Sequence, residues 1–207
     1  MTPDFDLLLA EFPREVPIFP LVEGVLFPGA VLPLHIFEPR YRKMLGDALK
    51  SDRMIAMARL LQRGTDRIHE IVGVGHVIHH EALKDGRSTI ALLGLSAGRA
   101  EEVASEEPYR RARIELLPDA LDLQESDQQV LERVFAMTVP GRGTLDDLRT
   151  KLGEIIGPDR LAPALVNTCA QSAPIYPLHK QELLEERSVS ARLAMLLNFL
   201  ERPWQWN

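Results

Sequence analysis

One cysteine, Cys169, stands in a chain of 207 residues. It cannot form an internal disulfide, and a chain without disulfides suits the reducing cytoplasm, the expected location of this protein. No apolar run approaches the roughly 18 residues that span a bilayer. The opening residues hold only a brief apolar stretch, Leu7 to Ala10, flanked by Asp4, Asp6 and Glu11. A signal peptide carries positive charge in front of a longer apolar region, so neither export nor a membrane partner is expected. Basic residues are also in deficit: 24 Lys and Arg face 30 Asp and Glu, for a net charge of −6 and a pI near 5.6. Phosphate contacts need clustered cations. The densest groups, Arg40, Arg42 and Lys43, then Arg110, Arg111 and Arg113, are interleaved with acids, which counts against nucleic acid as a partner. No GxxxxGK(S/T) phosphate loop occurs, and no cofactor is expected.

What the chain does hold is proline and glycine set at intervals. Between Val16 and Arg42 the apolar runs of VPIFPLVEGVLFPGAVLPLHIFEPRYR are cut by Pro17, Pro20, Gly24, Pro28, Gly29, Pro33 and Pro39. These residues punctuate backbone geometry, so short strands joined by tight turns are predicted. Leu32, Leu34 and Ile36 alternate against Pro33, His35 and Phe37 before a helix opens at Glu38 and Pro39. Strand-length runs rich in Val, Ile and Leu follow at Met54 to Leu61, Glu70 to His80, Ser88 to Ser96 and Tyr109 to Leu117. Turn signals separate them, and Asp85-Gly86 favours a hairpin. Several short strands with one helix near Pro39 to Ala48 predict a small barrel or closed sheet.

Near Pro118 and Asp119 the period becomes helical. Val130, Leu131, Val134 and Phe135 form one stripe, opened by a capping box of Ser126 with Gln129. Leu145, Leu148, Leu152, Ile155 and Ile156 form a second, stopped by Gly157 and Pro158. Leu161, Leu165, Val166 and Cys169 make a third. Val189, Leu193, Leu196, Leu197 and Leu200 make a fourth, behind a cap at Ser188. Four amphipathic stripes with short links predict a helical bundle. The class is therefore α+β, a β module over residues 1–118 and helices over 119–207. The link from Leu117 to Leu121 has one proline and no glycine or serine, so the halves are expected to pack as one unit.

The Phe19-Pro20-Leu21 triplet, the VLFPG block from Val25 to Gly29 and LPLHIFEPRY from Leu32 to Tyr41 closely resemble the opening motif of the Lon N-terminal domain family. Gly73 to Gly75 with Asp85-Gly86-Arg87, GLSAGRA (Gly94 to Ala100), YRRARIELLPD (Tyr109 to Asp119) and KQELLEERSVSARLAMLLNFLE (Lys180 to Glu201) look like its successive blocks. The resemblance implies a PUA-like β-barrel followed by an α-helical bundle, free-standing here, without the ATPase and peptidase domains of full-length Lon. It implies substrate recognition and self-association, and hence a non-catalytic module that binds peptides or unfolded protein segments. Two routes are open: a barrel edge pairing with an extended peptide, or a barrel–bundle crevice receiving side chains. The residues expected to contact such a peptide are His35, Phe37, Arg40 and Tyr41. The competing expectation is that Phe37 and Tyr41 tie the helix to the barrel. An RNA-binding role, known for PUA-like barrels, is the alternative, and a contiguous positive stripe would mark it.

Three features imitate chemistry. Gly94-Leu95-Ser96-Ala97-Gly98 spells GxSxG, a nucleophile elbow only where a helix follows the strand. The acidic stretch from Arg99 to Pro108 is a poor helix, and only His179 lies downstream as a base, so hydrolysis through Ser96 is a remote alternative. Lys84-Asp85-Gly86-Arg87-Ser88 faintly echoes the Lon serine segment but sits between strands as turn chemistry. His76, His79, His80 and Glu81 invite a metal, yet on a regular strand His76 and His80 share a face about 13 Å apart, and zinc wants converging ligands. No metal site is expected. Cys169, on an apolar stripe, is read as a small buried hydrophobe. Trp204 and Trp206 either cap the bundle or form an exposed anchor for a partner.

Overall fold

The structure, a computed structural model, describes residues 5–138 and 143–202. Trp204 and Trp206 lie outside the described residues. A short helix α1 (Phe5–Ala10) precedes strands β1 (Glu15–Leu21) and β2 (Val31–Ile36), helix α2 (Pro39–Lys50), and strands β3 (Met54–Arg59), β4 (Ile71–Ala82), β5 (Ser88–Val103) and β6 (Arg110–Leu117). Helices α3 (Asp127–Thr138), α4 (Leu145–Ile156), α5 (Leu161–Ser172), α6 (Pro177–Glu185) and α7 (Val189–Glu201) follow.

β5 is the spine of the sheet. It pairs antiparallel with β4 over Ser88 to Arg99, with β2 over Ser88 to Leu93, and with β6 over Ala97 to Val103. β1 runs antiparallel to β6 up to Ile18 and parallel to β3 from Ile18 onward. The pairings β1–β3–β4–β5–β6–β1 close a ring of five strands, with β2 outside it on β5. Each half of β1 has one registered partner, so Pro17 and Pro20 are accommodated as at an edge, and Pro33 falls on the true edge strand β2. At the β4–β5 turn Gly86 adopts φ 81°, the left-handed conformation the Asp85-Gly86 pair predicts.

The β1–β2 connection folds inward as a plug. Leu26 and Phe27 are wholly buried. A Cβ on Gly73 would lie 2.0 Å from the Leu26 carbonyl oxygen, and one on Gly94 2.0 Å from the Phe27 oxygen. Only glycine permits that approach. Buried backbone groups need partners, and Gln171 of α5 supplies two. Its Oε1 accepts from the Phe27 N–H and its Nε2 donates to the Val25 carbonyl, both at 3.1 Å.

The plug therefore fastens ring to bundle, and one buried cluster spans both, from Val16, Val74 and Leu95 to Val134, Val166 and Leu196. A second lies beneath α2 and includes Phe19, Ile36, Tyr41, Met44 and Leu92. At the junction Arg192 of α7, wholly buried, donates to both Asp119 oxygens at 3.0 and 2.7 Å and to the Leu183 carbonyl at 2.8 Å. Asn167 donates to Asp119 at 2.8 Å and accepts from Arg192.

Several local expectations change. Ser188 caps α7, accepting from the Ala191 N–H at 3.0 Å, but α3 is not opened by a Ser126–Gln129 box. Its Asp127 carboxylate accepts from the Gln124 N–H instead, which closes the preceding turn. The reciprocal box belongs to α4, between Thr144 and Asp147. α6 is a separate helix and α1 an additional one. β5 does not stop at Ser96 but continues to Val103. Ile78 is an extra residue on β4 between the registered pairs Val77–Leu92 and His79–Ala91. A bulge of this kind reverses the alternation, so His76 shares a face with His79 rather than with His80.

Candidate functional site

A crevice of about 450 Å³ lies at the junction of ring, plug and bundle. The ring contributes Leu95, Ser96 and Leu116, the plug Pro28 and Gly29, the bundle Ile156, Pro163 and Ala164, and α1 Phe5 and Leu9. Leu121 stands at its rim, 72% exposed. Val74 pairs with Ser96 and Gly75 with Gly94, which leaves Leu95 as a bulge residue on β5. Such bulges re-aim side chains beside functional sites, and this one puts Leu95 in the crevice wall. Pockets of this size and mostly apolar lining, with a few placed polar groups, are the usual form of a binding site. The polar groups are Ser96, Asp119 and Asn167, the last two both committed to Arg192, and Arg160, which pairs with Asp6.

The four residues expected to contact a peptide lie elsewhere and divide. Phe37 is 58% exposed and stacks on exposed His35, ring centroids 6.0 Å apart. Arg40 pairs with Glu38 at 3.0 Å and covers the Tyr41 ring at 4.5 Å. Tyr41 is buried against Phe19, 4.5 Å between centroids, where it ties α2 to the sheet and its burial raises the phenol pKa. None of the four lines the crevice. Sequence reasoning missed Arg160, Asn167 and Leu121. Asn167 was legible as a polar residue inside the apolar stripe Leu165, Val166, Cys169; Arg160 and Leu121 left no signal.

Most of the basic groups are paired with acids. Lys43 pairs with Asp47 and with Glu107 at 3.0 Å, Arg110 with Glu102, and Arg111 and Arg113 both with Glu15 at 3.8 Å. The elbow at Ser96 is absent because the strand continues through it. Ser96 is buried and its hydroxyl donates to the Ala97 carbonyl at 2.7 Å, while His179 is stacked on Phe199 at 4.3 Å and contacts Glu182 at 3.3 Å. His80 faces Ser88 at 3.2 Å. Among the described residues, no three His, Cys, Asp or Glu side chains assemble a metal-binding group, and no helix is long and apolar enough to cross a membrane. Cys169 is buried, and desolvation pushes its thiol up to about 11.

This fold is similar to that of solved Lon N-terminal domains. The Lon N-terminal domain protein from Xanthomonas campestris matches it with a TM-score of 0.66 and 19% identity, over 90% of this chain and 99% of that one. The N-terminal domain of Mycobacterium avium complex Lon protease gives 0.63 and 18%, over 91% and 98%. In sequence, Lon protease 2 of Sorangium cellulosum (strain So ce56) is 29% identical over 205 residues, and Lon protease of Escherichia coli (strain K12) 27% over 197. Each match takes in 90% of this chain but 24% of the relative, so the chain spans about a quarter of the length of these proteins. The family model for the ATP-dependent protease La (LON) substrate-binding domain matches residues 15–202. The chain belongs to that family.

Proposed function

We propose that this chain is a non-catalytic recognition module that takes apolar segments of peptide or unfolded protein into the crevice between ring and bundle. The observation that carries the reading is the crevice itself, about 450 Å³ with mostly apolar walls and no free basic cluster beside it. A shallow preformed site offers modest area against the entropy of association, so the affinity is micromolar or weaker. Apolar contacts make it insensitive to salt, whereas RNA binding falls steeply as salt rises. Fluorescence anisotropy of a labelled unfolded apolar-aromatic peptide and a labelled single-stranded RNA, each at two salt concentrations, separates the two. Tight, salt-sensitive RNA binding with no peptide binding reverses the order.

A second reading places the contact at the corner of β2 and α2, favoured by the exposed His35–Phe37 stack and Arg40 beside it. Leu121→Asp puts a charge at the rim of the crevice, at an exposed position that leaves the core alone. It weakens the peptide about fivefold, equivalent to about 1 kcal/mol, and Phe37→Ala leaves it unchanged; the opposite pattern supports the corner. Purified protein turns over neither casein, ATP nor a nitrophenyl ester, and turnover that disappears in Ser96→Ala overturns that statement.

A further inference from the structure

Helix α1 differs from the other walls of the crevice. The family match begins at residue 15, so α1 lies ahead of it, and six residues are too few to hold a helix without a seat. The seat is the crevice. Phe5 is buried there, Leu9 lines it beside Phe5, and Leu8 and Leu9 pack on the core shared by ring and bundle. Asp6 fastens the segment through its ion pair with Arg160, whose guanidinium also lies 5.5 Å from the Phe5 ring centroid. The Asp6 side chain is 82% exposed, so this is a surface clasp, and surface clasps are weak. The segment, Phe5-Asp6-Leu7-Leu8-Leu9, has the chemistry of an unfolded apolar stretch.

We propose that α1, which forms one wall of the open crevice, occupies part of a wider apolar seat that a guest also takes, and that the guest displacing it carries the same pattern, an aromatic residue beside a carboxylate with leucines following. The inference rests on the crevice being the peptide seat. The guest's aromatic ring and leucines fill the space against Leu95, Leu116 and Ala164, and its carboxylate takes Arg160, the cation among the described lining residues. Because occupant and guest compete, the apparent affinity for the guest is scaled down to the fraction of molecules in which α1 is unseated. Loosening α1 therefore raises affinity without adding a contact.

The probe is a fluorescein-labelled peptide of residues 5–12, FDLLLAEF, titrated into the full chain and its variants. Asp6→Lys turns the clasp into a repulsion at an exposed position, and it binds the probe about three- to tenfold tighter than the unaltered chain. Arg160→Glu also loosens α1 but removes the carboxylate's partner. It prefers the charge-reversed peptide FKLLLAEF over the probe, an exchange that general loosening of the fold does not produce. Equal affinity of the unaltered chain and Asp6→Lys, or an Arg160→Glu variant that keeps the original preference, overturns the occupant while the crevice seat stands. No binding by any of the three proteins up to hundreds of micromolar overturns both.

Discussion

Gly94→Ala tests how the plug is held. A Cβ at this position meets the Phe27 carbonyl oxygen at 2.0 Å and its carbon at 2.8 Å. Both are backbone atoms, so no flexible side chain can swing aside. The two segments are also pinned to each other, since Gly29 donates to the Gly94 carbonyl at 2.8 Å and Gly94 donates to Ala30 at 2.9 Å. Relief requires moving the plug off β5 and giving up those bonds together with part of the burial of Leu26 and Phe27. Overpacking in a core costs about 1–3 kcal/mol where side chains can adjust, and here the cost is about 3 kcal/mol or more, out of a total near 5–15 kcal/mol. For a chain of this size, that lowers Tm by roughly 6–12 °C. Gly46→Ala is the control. It lies within α2 with nothing within 4 Å of its Cβ position, so the substitution gains about 1 kcal/mol of helix propensity and raises Tm by a few degrees. Thermal unfolding followed by circular dichroism reads both. A Gly94→Ala variant within about 1 kcal/mol of the unaltered chain would refute the plug as a rigid, close-packed element.

Arg192→Met leaves Asp119 without its bidentate partner and costs about 3–5 kcal/mol in urea unfolding; adding Asp119→Leu recovers part of the loss, and a single-variant cost below about 1 kcal/mol counts against the clamp. Burial, and then Arg59 and Arg53 respectively, hold the folded pKa values of His69 and His76 below the ordinary 6.5. The unfolded chain therefore binds the extra protons, and stability present above about pH 6.5 is lost as pH falls toward 5; Tm at pH 7.5 and 5.5 checks the direction, and His69→Gln flattens the slope. Cys169, with its thiol pushed up to about 11, resists iodoacetamide at pH 8 in the folded protein and reacts in denaturant; rapid native labelling contradicts its burial. We propose further that the halves divided near Pro118 unfold as one unit, because Gln171 bonds to Phe27 and Gln181 to the Ile71 carbonyl across the two halves, while Arg192 anchors the link at Asp119. Limited proteolysis then spares Leu117 to Leu121, and early release of a stable fragment ending near Pro118 argues for independent halves.

Much of the fold was legible because its signals are local. Gly24, Pro28 and Gly29 marked the β1–β2 connection and Pro39 the start of α2, whereas Pro17, Pro20 and Pro33 fell inside strands; the Asp85-Gly86 pair marked the hairpin, and i, i+4, i+7 stripes marked α4, α5 and α7. What escaped depends on contacts distant in sequence. The bulges at Ile78 and Leu95 are seen only in the pairing of β4 with β5, and nothing local distinguishes them from regular strand. The β5 extension through Glu101 and Glu102 looks too acidic for a strand until β6 supplies Arg110, which pairs with Glu102. GxSxG was legible as a string, and its glycine has a packing explanation, since Gly94 clears the Phe27 carbonyl. The crevice was legible only as a junction between two modules. Its lining comes from α1, the plug, β5, the link and α5, segments that no spacing rule joins, while the aromatic corner at Phe37 drew attention because its residues are adjacent in sequence.

The recognition reading turns on where a peptide lands. Amide chemical-shift mapping of the nitrogen-15-labelled chain, titrated with an unlabelled apolar-aromatic peptide, reports that location directly. Shifts are expected to concentrate at Gly29, Leu95, Ser96, Leu121, Arg160 and Asn167, around the crevice. Shifts confined to His35, Phe37 and Arg40, or none at saturating peptide, would contradict that reading.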